Sequence, residues 1–132
     1  MNEQSLKERL KVIAQQENRT FQDVWKSLVL ERFLVRISKS NQNENFIFKG
    51  GMLLSHYLNI GRETKDLDFL ISRMKTEIDN IKKAFQDVCS VNVNDGFLFT
   101  FSGIELLDQP HMKYPGYRVN LDLNLISAFP FY

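Results

Sequence analysis

Residues 46–71 read Phe-Ile-Phe-Lys-Gly-Gly-Met-Leu-Leu-Ser-His-Tyr-Leu-Asn-Ile-Gly-Arg-Glu-Thr-Lys-Asp-Leu-Asp-Phe-Leu-Ile. Phe46-Ile47-Phe48 is a short apolar run that predicts a buried strand, and Lys49-Gly50-Gly51 is the turn out of it. Met52 to Asn59 predicts a helix, stopped near Asn59 and Gly61. Gly61 to Lys65 is polar and predicts a turn, and Asp66 to Ile71 predicts the next strand. A glycine pair between a strand and a helix lets backbone come close to a phosphate, and a helix start offers free N–H groups and a positive dipole end. On a strand, residues two apart share a face, roughly 6–7 Å apart. Asp66 and Asp68 then stand side by side while Leu67, Phe69 and Ile71 face the core.

Two carboxylates so placed repel each other unless a cation neutralises them. Hard oxygen donors suit Mg²⁺, which completes its shell from water and substrate phosphates. Asp122 is the candidate third ligand, because it lies on the polar face of a later strand. Three carboxylates can hold two metal ions about 3.5–4 Å apart for in-line displacement at phosphorus. The competing reading is a solvated Asp-x-Asp at a strand edge. Lys49, Arg62 and Lys65 bracket the carboxylates. Arg62 suits a phosphate oxygen or a neighbouring carboxylate, and surface charge is the plain alternative for all three. His56 reads as a helix residue and His111 as a loop residue, with no ligand spacing between them. Ser55 has no visible base and is not a candidate nucleophile.

Working outward, residues 3–16 predict an amphipathic helix on Leu6, Leu10 and Ile13. Glu17-Asn18-Arg19 breaks it, and Thr20, with Asp23 three positions on, caps a second helix running to about Ser38. That helix is apolar on most sides, which places it between other elements; Trp25 and the phenylalanines are core residues on this reading. Ser38 to Asn45 is a polar connection. Residues 76–89 predict a helix capped by Thr76, with Ile78, Ile81, Phe85 and Val88 on one face. Asn94-Asp95-Gly96 predicts a hairpin between Val91–Val93 and Phe97–Phe101. Ser102-Gly103 turns again, Ile104–Leu107 is a further short strand, and Asp108–Gly116 is a loop. Tyr117 to Ile126 alternates most cleanly: Tyr117, Val119, Leu121, Leu123 and Leu125 on one face, Arg118, Asn120, Asp122 and Asn124 on the other.

The 132 residues carry 43% hydrophobic and 25% charged residues, which fits one soluble globular domain. A net charge of +1 does not by itself argue for nucleic acid or a membrane surface as partner. One cysteine, Cys89, excludes an internal disulfide and reads as a buried structural thiol. The polar N-terminus lacks a signal-peptide core and no run is long enough to span a bilayer, so the expectation is a cytoplasmic protein.

Strand, Gly-Gly, about a dozen residues, then Asp-x-Asp resembles the signature of minimal nucleotidyltransferases with the DNA polymerase β-like fold. The longer strings are more specific: Glu31-Arg32-Phe33-Leu34-x-Arg36-Ile37-Ser38-x-Ser40, Phe48-Lys49-Gly50-Gly51-Met52-Leu53-Leu54, Arg62-x-Thr64-x-Asp66-Leu67-Asp68 and Tyr114-Pro115-Gly116-Tyr117-Arg118-Val119. They are similar to the nucleotidyltransferase-like toxins of the AbiEii/AbiGii family, over roughly Leu6 to Leu125. The resemblance implies an α+β fold: a mixed sheet flanked by helices, with an N-terminal helical pair. It implies one domain over 1–132, with N-terminal helices in 1–40 and a catalytic core in 46–126. Family members carry a further helical half, which this chain is expected to lack. The resemblance implies that Gly50 and Gly51 contact nucleotide phosphates and that Asp66 and Asp68 bind Mg²⁺, with Asp122 as third carboxylate. The family's lysine on a later helix has no match here. The implied reaction is NMP transfer from Mg–NTP to an acceptor hydroxyl on RNA, such as tRNA, or on protein, in a toxin–antitoxin or abortive-infection system with a cognate antitoxin. The alternative is a truncated, non-catalytic module that binds a nucleotide or a partner.

Overall fold

The computed structural model describes residues 3–41, 53–60, 66–72, 77–107 and 116–126, the second and third of these by their backbone. Helix α1 spans Glu3–Gln16 and buries Leu6, Leu10 and Ala14. It ends as its sequence dictates. Asn18 takes the left-handed conformation (φ 53°), and the Arg19 N–H reaches back 2.9 Å to the Ala14 carbonyl, a glycine-free version of the usual helix stop. Helix α2 spans Phe21–Lys39. The Thr20 hydroxyl accepts the Asp23 N–H at 3.1 Å, as the capping pattern predicts. At its other end Arg36 and Lys39 lie in the last turn, where the dipole favours cations.

Four strands, β1 (Leu53–Ile60), β2 (Asp66–Ser72), β3 (Phe97–Leu107) and β4 (Gly116–Leu125), form a sheet in the order β1-β2-β4-β3. Helix α3 (Ile78–Cys89) lies between β2 and β3 in the chain. Every described strand pair is antiparallel, so among the described residues the α+β arrangement has an antiparallel sheet, with no parallel pair of the expected mixed sheet in it.

The core lies on one face of this sheet. Tyr117, Val119, Leu121 and Leu123 of β4 and Phe97 and Phe99 of β3 are buried together with Trp25, Phe33 and Ile37 of α2 and Ile81, Phe85 and Val88 of α3. Phe33 is the centre of the aromatic packing, edge-on to Phe99 at 5.3 Å between centroids and stacked on Phe85 at 6.0 Å. Trp25 stacks on Phe97 at 6.2 Å. The alternation predicted for β4 is observed, and on its apolar face Leu125 alone is half-buried rather than buried.

Four local expectations are corrected. The helix expected over Met52–Asn59 is not found in its described part: Leu53–Ile60 is strand β1, antiparallel to β2. A short apolar run fits either element, and here pairing to a sheet edge decides it. Helix α3 begins after Glu77, which makes no side-chain capping bond, and Ile78 at 38% exposure leaves the apolar face; Thr76 lies outside the described residues. Asn94-Asp95-Gly96 bends the chain with positive φ at Asn94 (54°) and Gly96 (86°), but residues 91–93 form no strand and no hairpin closes. The bend joins α3 to β3. Finally, Ser102-Gly103 is not a turn, because β3 runs unbroken to Leu107. Phe101 faces Leu121 while Gly103 faces Asn120, so Ser102 is the extra residue of a bulge. The bulge shifts the alternation by one, bringing Ile104 opposite Val119 on the core side. The predicted strand at Phe46–Phe48 lies outside the described residues.

Candidate functional site

The helices cover one face of the sheet, and the polar alternation of β4 falls on the other. Arg118 and Asn124 are exposed there, and Asn120 and Asp122 half-buried. Arg118 pairs with Glu105 of β3 at 3.0 Å.

The register of β2 on β4 decides what this face carries. Asp66 stands directly opposite Asp122, and Asp68 opposite Asn120. Residues facing each other on antiparallel strands share a face, with Cβ atoms about 4.5–5.5 Å apart. The pairing thus gathers the positions of the three aspartates on the face away from the helices, although Asp122 is more than fifty residues from the other two in sequence. Leu67, Phe69 and Ile71 take the register of Leu121, Val119 and Tyr117, the core-facing set. Across β4 the rows continue onto β3, with Thr100 opposite Asp122 and Gly103 opposite Asn120. On the far side of β2, Asn59 of β1 faces Asp68.

These three positions supply only oxygen donors, the chemistry that suits a hard divalent cation such as Mg²⁺. Among the described side chains no group of three His, Cys, Asp or Glu is gathered to hold a metal ion; Asp66 and Asp68 are placed by backbone register. Lys49, Gly50, Gly51, Arg62, Lys65 and His111 lie outside the described residues. Ser55 and His56 are on β1, a strand and not the expected helix. Among the described residues no helix starts between Leu53 and Ile60, and the dipole part of the phosphate argument does not carry over to that segment.

A second cluster, which the sequence did not suggest, joins α2 to the bend before β3. Asp95, in the bend before β3, is 1% exposed, as is Arg36 of α2. The Arg36 guanidinium donates to both Asp95 oxygens, at 2.8 and 2.7 Å, and to the Phe97 carbonyl at 2.6 Å. Arg32 Nε donates to Asp95 at 2.9 Å, and so does the Phe97 N–H at 3.0 Å. The Arg36 charge also lies 4.8 Å from the centre of the Phe99 ring. Burial raises the Asp95 carboxyl, but the hydrogen bonds from Arg36, Arg32 and Phe97 outweigh it and bring it down to about 2. This buried clamp holds the start of β3 against α2. The available signal was Arg32 and Arg36 in a largely apolar helix; their partner was some sixty residues away. Cys89 is half-buried rather than fully buried. Its thiol is pushed up to about 12 by burial, against the opposing charge of Arg36, and carries no thiolate chemistry at neutral pH.

A family model described as nucleotidyl transferase AbiEii toxin, type IV toxin–antitoxin system, matches residues 32–128, well over half of the chain. No curated protein gives a significant match, and neither does any solved structure. Among the described residues no helix is long and apolar enough to cross a membrane.

Proposed function

The chain belongs to the nucleotidyl transferase AbiEii toxin family of type IV toxin–antitoxin systems, and on that premise we propose that it transfers NMP from an NTP to a hydroxyl of an RNA such as tRNA. The observation that carries this reading is the cross-strand pairing of Asp66 with Asp122, two positions along the ladder from Asp68. Asp66, Asp68 and Asp122 hold Mg²⁺, with room in the donor set for a second ion. Bound Mg²⁺ supplies charge neutralisation at the triphosphate oxygens. Lys49 and Arg62 bind the β- and γ-phosphates, and the Gly50-Gly51 backbone admits them closely. Asp122 takes the proton from the acceptor hydroxyl as its oxygen bonds to the α-phosphorus. The bond between the α-phosphorus and the bridging oxygen breaks, and pyrophosphate leaves. The family implies an antitoxin as partner, and the site of action is the cytoplasm.

The test is incubation with labelled NTPs, Mg²⁺ and total RNA. Label enters RNA with the wild-type chain and is lost with Asp66→Ala. Absence of transfer by the wild type, or equal transfer by Asp66→Ala, overturns the reading. A second reading is a nucleotide- or partner-binding module without turnover. It is favoured by one observation: a strand and not a helix occupies Leu53–Ile60, which removes the helix on which the dipole argument for phosphate binding relied. Calorimetry with GTP and ATP that shows binding by a chain inactive in transfer selects it.

A further inference from the structure

Asp95-Gly96 is the only Asp-Gly pair in the chain. At such a pair the following amide nitrogen can attack the side-chain carboxyl carbon, and glycine puts no side chain in its way. A bond forms between the Gly96 nitrogen and Asp95 Cγ, a Cγ–O bond breaks, and water leaves with the amide proton. The product is a cyclic succinimide, which water then opens at either carbonyl. Opening at the main-chain carbonyl routes the backbone through Cβ and Cγ. That product is isoaspartate, of unchanged mass.

Neither residue is easily replaced. Gly96 has φ 86°, in the left-handed region that side chains disfavour. Asp95 is the acceptor around which Arg36 and Arg32 close. The same contacts oppose the reaction in two ways. Ring closure needs a neutral carboxyl, whose hydroxyl leaves as water, and the two guanidinium groups favour the ionised form. Ring closure also needs Cγ to swing onto the Gly96 nitrogen. Here Oδ1 is held by Arg36 and the Phe97 N–H, and Oδ2 by Arg36 and Arg32. The Gly96 carbonyl is tied to the Ile126 N–H at 2.8 Å. Asp95 is 1% exposed, so either rotation breaks hydrogen bonds where little water can replace them.

We propose that Asp95-Gly96 is a site of spontaneous isoaspartate formation that the Arg36–Arg32 clamp closes in the folded chain and that opens when the clamp is released. The added main-chain methylene and the displaced carboxylate then keep the clamp from re-forming, so the modification withdraws chains that have stayed unfolded. The inference is independent of the nucleotidyltransferase reading.

Wild type, Arg36→Met and Phe33→Leu are kept for several weeks in mildly acidic buffer at body temperature, beside wild type unfolded in guanidinium chloride. Isoaspartate at residue 95 is read as lost cleavage by a protease that cuts before aspartate, and is located by fragment mass spectra. Unfolded wild type is expected to accumulate it roughly tenfold faster than folded wild type or more, and folded Arg36→Met several-fold faster. Phe33→Leu loosens the core and leaves the clamp, so it should keep the wild-type rate and separate clamp release from global unfolding. The isomerised fraction, diluted into buffer, should not regain the Trp25 fluorescence of the folded chain. Should Arg36→Met fail to fold, Arg32→Met, which removes one clamp bond, carries the comparison. Equal rates in folded and unfolded wild type, no isoaspartate at residue 95 in the unfolded chain, an unchanged rate in the clamp variant, or an equal rise in Phe33→Leu overturns the proposal. Full refolding of the isomerised fraction overturns its consequence.

Discussion

Replacing Asp95 with asparagine preserves shape and removes the charge that the Arg36–Arg32 clamp is built around. In the native chain the Asp95 carboxylate accepts from Arg36 twice, from Arg32 Nε and from the Phe97 N–H. Its neighbour Arg36 is 1% exposed. Asp95→Asn leaves that guanidinium buried opposite a neutral amide, which a change confined to one partner of a buried pair costs about 3–5 kcal/mol. A urea slope of roughly 1.5–2 kcal/mol/M for a chain of this size converts this to a midpoint lowered by about 2 M. The sole tryptophan, Trp25, is buried against Phe97, two residues from the substitution, so its fluorescence reports the transition. In an Arg36→Met background Asp95→Asn should cost far less, since no buried cation is left unpaired. The same clamp predicts the acid response. The Asp95 carboxyl titrates near 2 in the native chain against an ordinary 3.8, so its contribution is complete above about pH 4 and is lost as pH falls towards 2. The loss amounts to roughly 2 kcal/mol. A stability loss under about 1 kcal/mol for Asp95→Asn, or an equal loss in the Arg36→Met background, refutes the reasoning.

Phe33→Ala removes the ring that touches both Phe85 and Phe99 and should destabilise by about 3–5 kcal/mol in urea titration. Thr20→Ala removes the hydroxyl that accepts the Asp23 N–H and should cost about 1 kcal/mol by the same measurement. Cys89, its thiol near 12, should resist alkylation by iodoacetamide at pH 8 in the folded chain and react fully in denaturant; stoichiometric labelling of the native chain contradicts this. Mg²⁺ at ten times its dissociation constant should stabilise the wild type by about 1.4 kcal/mol, read as a raised thermal midpoint, and Asp122→Asn should reduce that shift.

The parts legible in the sequence were those with short-range causes. The faces of α1 and β4 follow from periodicities of 3.6 and 2, and Thr20 with Asp23 marks the start of α2 within four residues. Turn chemistry was legible as chemistry but not as outcome. Asn94 and Gly96 adopt the positive φ that their types allow, yet the bend leads from a helix and closes no hairpin. Ser102-Gly103 marks a break in regularity, and the break is a bulge inside one strand. The eight residues of β1 illustrate the limit most clearly. Their apolar pattern suits a helix as well as a strand, and hydrogen bonding to β2 chooses between them.

By itself the sequence determined that Asp66 and Asp68 lie on one side of a strand and Asp122 on the polar side of another, because side-chain alternation is a property of each strand alone. Tertiary structure decided that Asp66 faces Asp122, that the bulge turns Gly103 beside Asn120, and that Asp95 closes on Arg36. Those are relations between segments some twenty to sixty residues apart, set by register, core packing and the need to pair a buried charge, and no local pattern encodes them.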